Sequence, residues 1–140
     1  MAMLFAVAVP AIGADGSTAF TGHWQVAGVA VPDAGIQALT NNDPSLMGKR
    51  LTFTPQRLNW DQPTSTNDVC MGPTFTRLST RPPVDLLPQL RKLGMRQPVA
   101  YTLRCRSGSW GPGDQTNVYL GAAGSIAMPW YDNGVLRLIR

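Results

Sequence analysis

The chain has 140 residues, of which 44% are hydrophobic and 14% charged, with a net charge of +4. This is enough for one domain with a real core, and the low charge excludes a disordered chain. The 14 Gly and 12 Pro exceed the about 10 and about 7 of average usage, and Glu is absent while Lys occurs only at Lys49 and Lys92, so a helical bundle is excluded in favour of a turn-rich fold.

Met1 to Ala14, MAMLFAVAVPAIGA, is uncharged and ends in small residues. It has the form of the apolar part of an export signal cleaved near Ala14, without a basic residue before it; the alternative is a first core strand. It is too short to span a bilayer, which takes about 20 apolar residues. Residues 15–140 then form a single domain with no repeat or linker, in a secreted or periplasmic protein.

From Trp24 to Val31 the chain is strand-like, and PDAGIQALT allows one short helical turn. Asp43 and Pro44 open a turn that Gly48 ends. Lys49 to Asp61 predicts a hairpin: Leu51 and Phe53 alternate with Thr52 and Thr54, Pro55-Gln56 suits the turn, and Leu58 and Trp60 follow in alternation. Asp68 to Leu78 is extended but interrupted at Gly72-Pro73. One helix is expected, with Asp85 as N-cap, Leu86, Leu87, Leu90 and Leu93 at helical spacing and Gly94 as its stop. After Pro98, Val99, Tyr101, Leu103 and Cys105 share one strand face, opposite Ala100, Thr102, Arg104 and Arg106. Strands around GAAG follow, and Asn133-Gly134 signals a hairpin into the terminal VLRLIR. Several strands are apolar on one face only and joined by short turns. The pattern predicts a mainly β fold, an antiparallel up-and-down barrel of about eight strands with one short helix between the Cys-bearing strands.

Cys70 and Cys105 are the only cysteines. Behind an export signal such a pair most often forms one disulfide; free buried thiols are the alternative, and a metal site would need more ligands than these and the single His23 supply.

The order of features resembles the lipocalin-like, or calycin-type, barrels, including small secreted bacterial proteins and protease inhibitors. The resemblance rests on Gly22-His23-Trp24 at the first strand and on a late-strand Arg, Arg137 or Arg140. It implies that this arginine stacks on Trp24 and seals one barrel end, a contact that stabilises a cation against a ring face.

His23 follows Gly22 on the face opposite Trp24, with no nucleophile elbow, and Asp61 with Asp68 or Asp114 with Asp132 are the available carboxylate pairs, all in loops or strand ends. A binding module, with no cofactor or metal, is therefore the first reading, engaging a protein partner as an inhibitor does, or a small apolar ligand. An envelope hydrolase acting on glycan or peptide through loop Asp residues and His23 is the second. Nucleic acid is not an expected partner because the arginines are dispersed, and the basic charge suits anionic envelope components instead. The local basic concentration is Arg91, Lys92 and Arg96 with Arg104 and Arg106, of which Arg104 and Arg106, sharing one strand face, are candidates for partner or ligand binding. Trp110 in a Gly-rich loop and Trp130-Tyr131 at a strand end are recognition candidates, or else plug the barrel's open end. A hollow interior would favour a carrier, and a packed one a protein contact.

Overall fold

In a computed structural model, residues 17–140 are described except 67 and 114, together with their side chains apart from that of residue 17. The expected export signal, 1–14, and Asp114 lie outside the described residues.

Ten antiparallel strands form one sheet that curls into a half-barrel. In chain order they are β1 (Gly22–Ala30), β2 (Arg50–Phe53), β3 (Arg57–Trp60), β4 (Val69–Met71), β5 (Thr74–Arg77), β6 (Val99–Arg104), β7 (Ser107–Ser109), β8 (Gln115–Leu120), β9 (Ile126–Pro129) and β10 (Val135–Ile139). Their order across the sheet is β5-β6-β8-β9-β10-β1-β2-β3-β4-β7. The count is ten rather than about eight because the extended 68–78 segment breaks into two strands and because β7 forms at Ser107–Ser109, in the Gly-rich stretch before Trp110 that reads as a loop. Gly72, at φ +58, and the donor-less Pro73 separate β4 from β5. Residues 105 and 106 separate β6 from β7 opposite this break. The register nonetheless carries across both breaks: Met71 pairs with Ser107, and Thr74 with Arg104.

Cys70 and Cys105 form the disulfide, with Cα atoms 5.2 Å apart. Cys70 lies in β4, but Cys105 falls just past the end of β6, so the helix is not strictly flanked by two Cys-bearing strands. The expected helix also begins differently. Residues Val84–Leu86 make a 3-10 turn with no side-chain cap from Asp85, and α2 proper is Leu87–Lys92, with Pro88 in its first turn and Gly94 at φ +71 beyond its end. A four-residue helix, α1 (Ser17–Phe20), precedes β1. No helix forms over PDAGIQALT.

The hairpin of β2 and β3 follows its alternation, with Leu51 opposite Trp60 and Phe53 opposite Leu58, all four buried. Between β9 and β10 the turn centres on Asp132 and Asn133, both with positive φ, and the Gly134 amide donates to the Tyr131 carbonyl at 3.1 Å. The tight turn therefore sits one residue before the expected Asn133-Gly134 pair.

The concave face is filled. Near the start of β1, Phe20 stacks on Phe75 with ring centres 4.1 Å apart, and Trp24 and Phe53 meet edge to face. Val26, Leu58, Val118, Leu136 and Leu138 fill the middle, all at or below 1% exposure. At the opposite end, Trp60, Trp110 and Trp130 close the core. The convex face carries a second core, in which Leu90, Leu93 and Met95 cover Ala30, Ala100, Tyr119, Ala127 and Val135. Buried Gln89 ties α2 to the sheet by donating to the carbonyls of Ala30 (3.0 Å) and Asn133 (2.7 Å). This attachment positions the helix as one wall of a surface groove.

Candidate functional site

Trp110, Trp130 and Tyr131, read from sequence as recognition candidates, come together, but as part of the core. Trp110 and Trp130 are only 2% and 5% exposed. Trp60 and Trp110 are stacked with centres 5.4 Å apart, and Trp130 meets both rings at 5.5 Å. The Gly-rich loop thus carries its Trp inwards: the Trp110 indole N–H donates to the Met128 sulfur, and the Trp110 carbonyl accepts from the Thr116 hydroxyl at 2.9 Å. Half-buried Tyr131 packs edge-on against Trp130 and donates its hydroxyl to Asp68 Oδ1 at 2.6 Å. The same oxygen accepts from the Gly111 amide at 3.1 Å. Burial, helped by the adjacent Asp68 carboxylate, pushes the Tyr131 phenol up to about 12. This is a plug anchored by a buried carboxylate. Asp61, Thr64 and Asp68 line a small pocket of about 460 Å³ beside it, together with Trp60.

The catalytic candidates are occupied otherwise. Exposed His23 lies 3.0 Å from the Thr52 hydroxyl through Nδ1, and that hydroxyl donates to Asp61 at 2.6 Å. A nucleophile relay needs the hydroxyl proton directed at the imidazole. Here the single Thr52 proton goes to the carboxylate, so His23 meets an oxygen lone pair. Asp132 accepts from the backbone amides of Ala38 and Leu39 and so pins the 32–40 loop to the β9–β10 turn. Asp43 accepts from Thr40 and Ser45, which holds its carboxyl down at about 2.

The basic residues regroup. Arg104 and Arg106 are exposed, with Arg104 Nε donating to Gln115 at 3.1 Å. Lys92 turns to Asp33 and to the Val31 carbonyl. Arg91 and Arg96 instead line a large groove of about 1470 Å³ between α2 and the end of β5, where they meet Arg77 and Arg81. All four guanidinium groups belong to exposed residues, and among the described residues none has an ion-pair partner. The floor is apolar, built from Leu78, Leu87, Leu90 and Met95. The sequence marked Arg91 and Arg96 only as part of a local basic concentration with Lys92, Arg104 and Arg106; Arg77 and Arg81 were missed because only the packing of α2 against the sheet puts all four on one groove. No group of three or more His, Cys, Asp or Glu side chains suited to a metal occurs among the described residues. No helix among them is long and apolar enough to cross a membrane.

The chain matches no protein-family model, no curated protein and no solved structure.

Proposed function

We propose that the protein is an exported, non-enzymatic binding module of lipocalin-like type that engages its partner on the outer surface, at the arginine-lined groove. The observation that carries this reading is the filled concave face, where Val26, Leu58, Val118, Leu136 and Leu138 are buried, while a large depression lies outside it, beside α2. Export is supported by the Cys70–Cys105 disulfide, a bond that persists in oxidising compartments. The lipocalin-like type is supported by Gly22-His23-Trp24 and by the Arg140 guanidinium 4.4 Å above the Trp24 ring. The hydrolase reading finds less support, since the Thr52 proton is committed to Asp61.

Xenon under pressure, followed by methyl NMR, tests the interior. The methyls of Val26, Leu58, Leu136 and Leu138 should stay unmoved. Xenon-dependent shifts at these methyls would reveal a hollow carrier and overturn the reading. Fractionation of expressing cells tests export, with the oxidised protein expected outside the cytoplasm.

A further inference from the structure

The groove beside α2 combines an aliphatic floor with charge of a single sign. Arg77 and Arg81 rise on the wall formed by the end of β5 and the following loop, and Arg91 and Arg96 on the wall formed by α2 and the turn after it. Among the described residues, no acidic residue and no aromatic ring lines it. Val84, beside the floor, is 78% exposed. We infer that this groove binds an anionic amphiphile, a single acyl chain with a carboxylate or phosphate head, taken as a free monomer; the inference rests on the outer-surface binding role proposed above.

Five considerations select this occupant. Unpaired arginines present planar forks that fit carboxylate and phosphate oxygens two at a time. The aliphatic floor of Leu78, Leu87, Leu90 and Met95 suits methylene groups, and Met adapts its shape to a flexible chain. A protein segment held by aromatic anchoring is the poorer fit, because the groove offers arginines but no Trp or Tyr. A flat bilayer cannot reach a concave floor set between two walls. At about 1470 Å³ the groove also exceeds the roughly 300–1,000 Å³ usual for compact small-molecule sites, which leaves room for an extended chain.

Calorimetric titration of the full chain with dodecyl phosphate below its micelle concentration, beside dodecyltrimethylammonium, tests this. Dodecyl phosphate should bind, and affinity should rise up to about fourfold for each methylene added, the equivalent of about 0.8 kcal/mol. The double variant Arg81→Glu, Arg96→Glu should weaken it about tenfold or more. Both residues are exposed, and a thermal melt checks that the variant folds; Arg77→Glu with Arg91→Glu provides an independent pair. Equal binding of the cationic chain, or binding that both double variants leave unchanged, overturns the inference. So does binding to phosphatidylglycerol vesicles or to an acidic peptide with no binding of the monomer. Amide shifts should fall within 78–83 and 87–100. Shifts at Val26 and Leu138 would overturn both this inference and the proposed function, whereas absence of binding with an unmoved interior overturns the inference alone.

Discussion

The Arg140 guanidinium carbon lies 4.4 Å from the centre of the Trp24 ring, and the same group donates to the carbonyls of Thr21 (2.9 Å) and Ala19 (2.8 Å). The Trp24 indole N–H donates to the Phe20 carbonyl at 2.8 Å. Four elements at one end of the half-barrel, α1, the turn after it, β1 and the terminal Arg140, are thereby locked together. Gly22 makes this possible: its φ is +135, and a Cβ there would come within 2.5 Å of the Arg140 Nη1. The spacing of Gly22 and Trp24 thus has a physical reason, a bare backbone for the arginine to cross and a ring for it to cover.

Trp24→Ala is expected to cost about 3–5 kcal/mol, the range for a truncated core aromatic, since Trp24 is 2% exposed. Arg140→Ala should cost about 1 kcal/mol, as its cation–ring contact sits at an exposed residue. Urea melts of both variants measure the difference. A Trp24→Ala melt like that of the parent would show that this end of the fold does not depend on the ring.

Reduction of the Cys70–Cys105 bond should lower stability by about 4 kcal/mol in the chain-entropy model, given a sequence separation of 35. The bond sits where β4 and β6 both stop, beside the Gly72-Pro73 break, so its loss should first loosen the β4–β7 pairing. Intact mass after alkylation, with and without reductant, followed by denaturant melts of the two forms, reads both effects. Alkylation of both thiols in unreduced, exported protein would refute the pairing.

The strands were legible wherever one side chain in two was apolar. Leu51, Phe53, Leu58 and Trp60 announced their hairpin, and VLRLIR, apolar on both faces, required an arginine to lie among buried groups: Arg140 covers Trp24 while itself exposed, and half-buried Arg137 on the other face is the one with a buried Nε. What could not be read depends on contacts distant in sequence. The Gly-rich surroundings of Trp110 signal a loop but not that the loop turns its ring inwards onto Trp60. α1 is a single turn, too short for periodicity to register, yet it delivers Phe20 to the core at 0% exposure. The strand count changed because the Gly72-Pro73 step breaks hydrogen bonding without ending the extended path, and because Ser107–Ser109, loop-like by composition, pairs with β4. The arginine groove was invisible for a similar reason: Arg81 and Arg96 line one groove only once α2 has folded back over the convex face.

Gln89 is the polar pin of that docking. Its amide donates to two carbonyls, Ala30 in β1 and Asn133 in the β9–β10 turn, from a side chain 5% exposed. Gln89→Leu keeps the volume but leaves both acceptors without this donor, at a cost of about 1–3 kcal/mol. Because α2 forms one wall of the groove, hydrogen exchange of its amides should accelerate in this variant while that of β2 and β3 stays protected. Uniform acceleration across all strands would mean that α2 and the sheet unfold as one unit.

Tyr131 supplies a pH dependence whose direction follows from its surroundings. Burial first, then the hydrogen bond and the negative charge of Asp68, raise its ionisation from 10.0 to about 12. The folded state therefore holds the phenolic proton more tightly than the unfolded chain does. The stability this supplies is fully present below about pH 10 and is lost as pH rises towards about 12. Tyr119 is also pushed up by burial, so the parent protein should ionise two tyrosines late in a tyrosinate absorbance titration. Tyr131→Phe should remove one of these late components and flatten the alkaline fall in stability. At neutral pH it should cost about 1 kcal/mol, since Asp68 Oδ1 keeps only the Gly111 amide. Asp68→Asn retains an oxygen acceptor for the phenol but removes the charge, and should move the Tyr131 ionisation back towards 10.0. Persistence of both late components in Tyr131→Phe would place the perturbed phenol elsewhere and break the link between Asp68 and the aromatic plug.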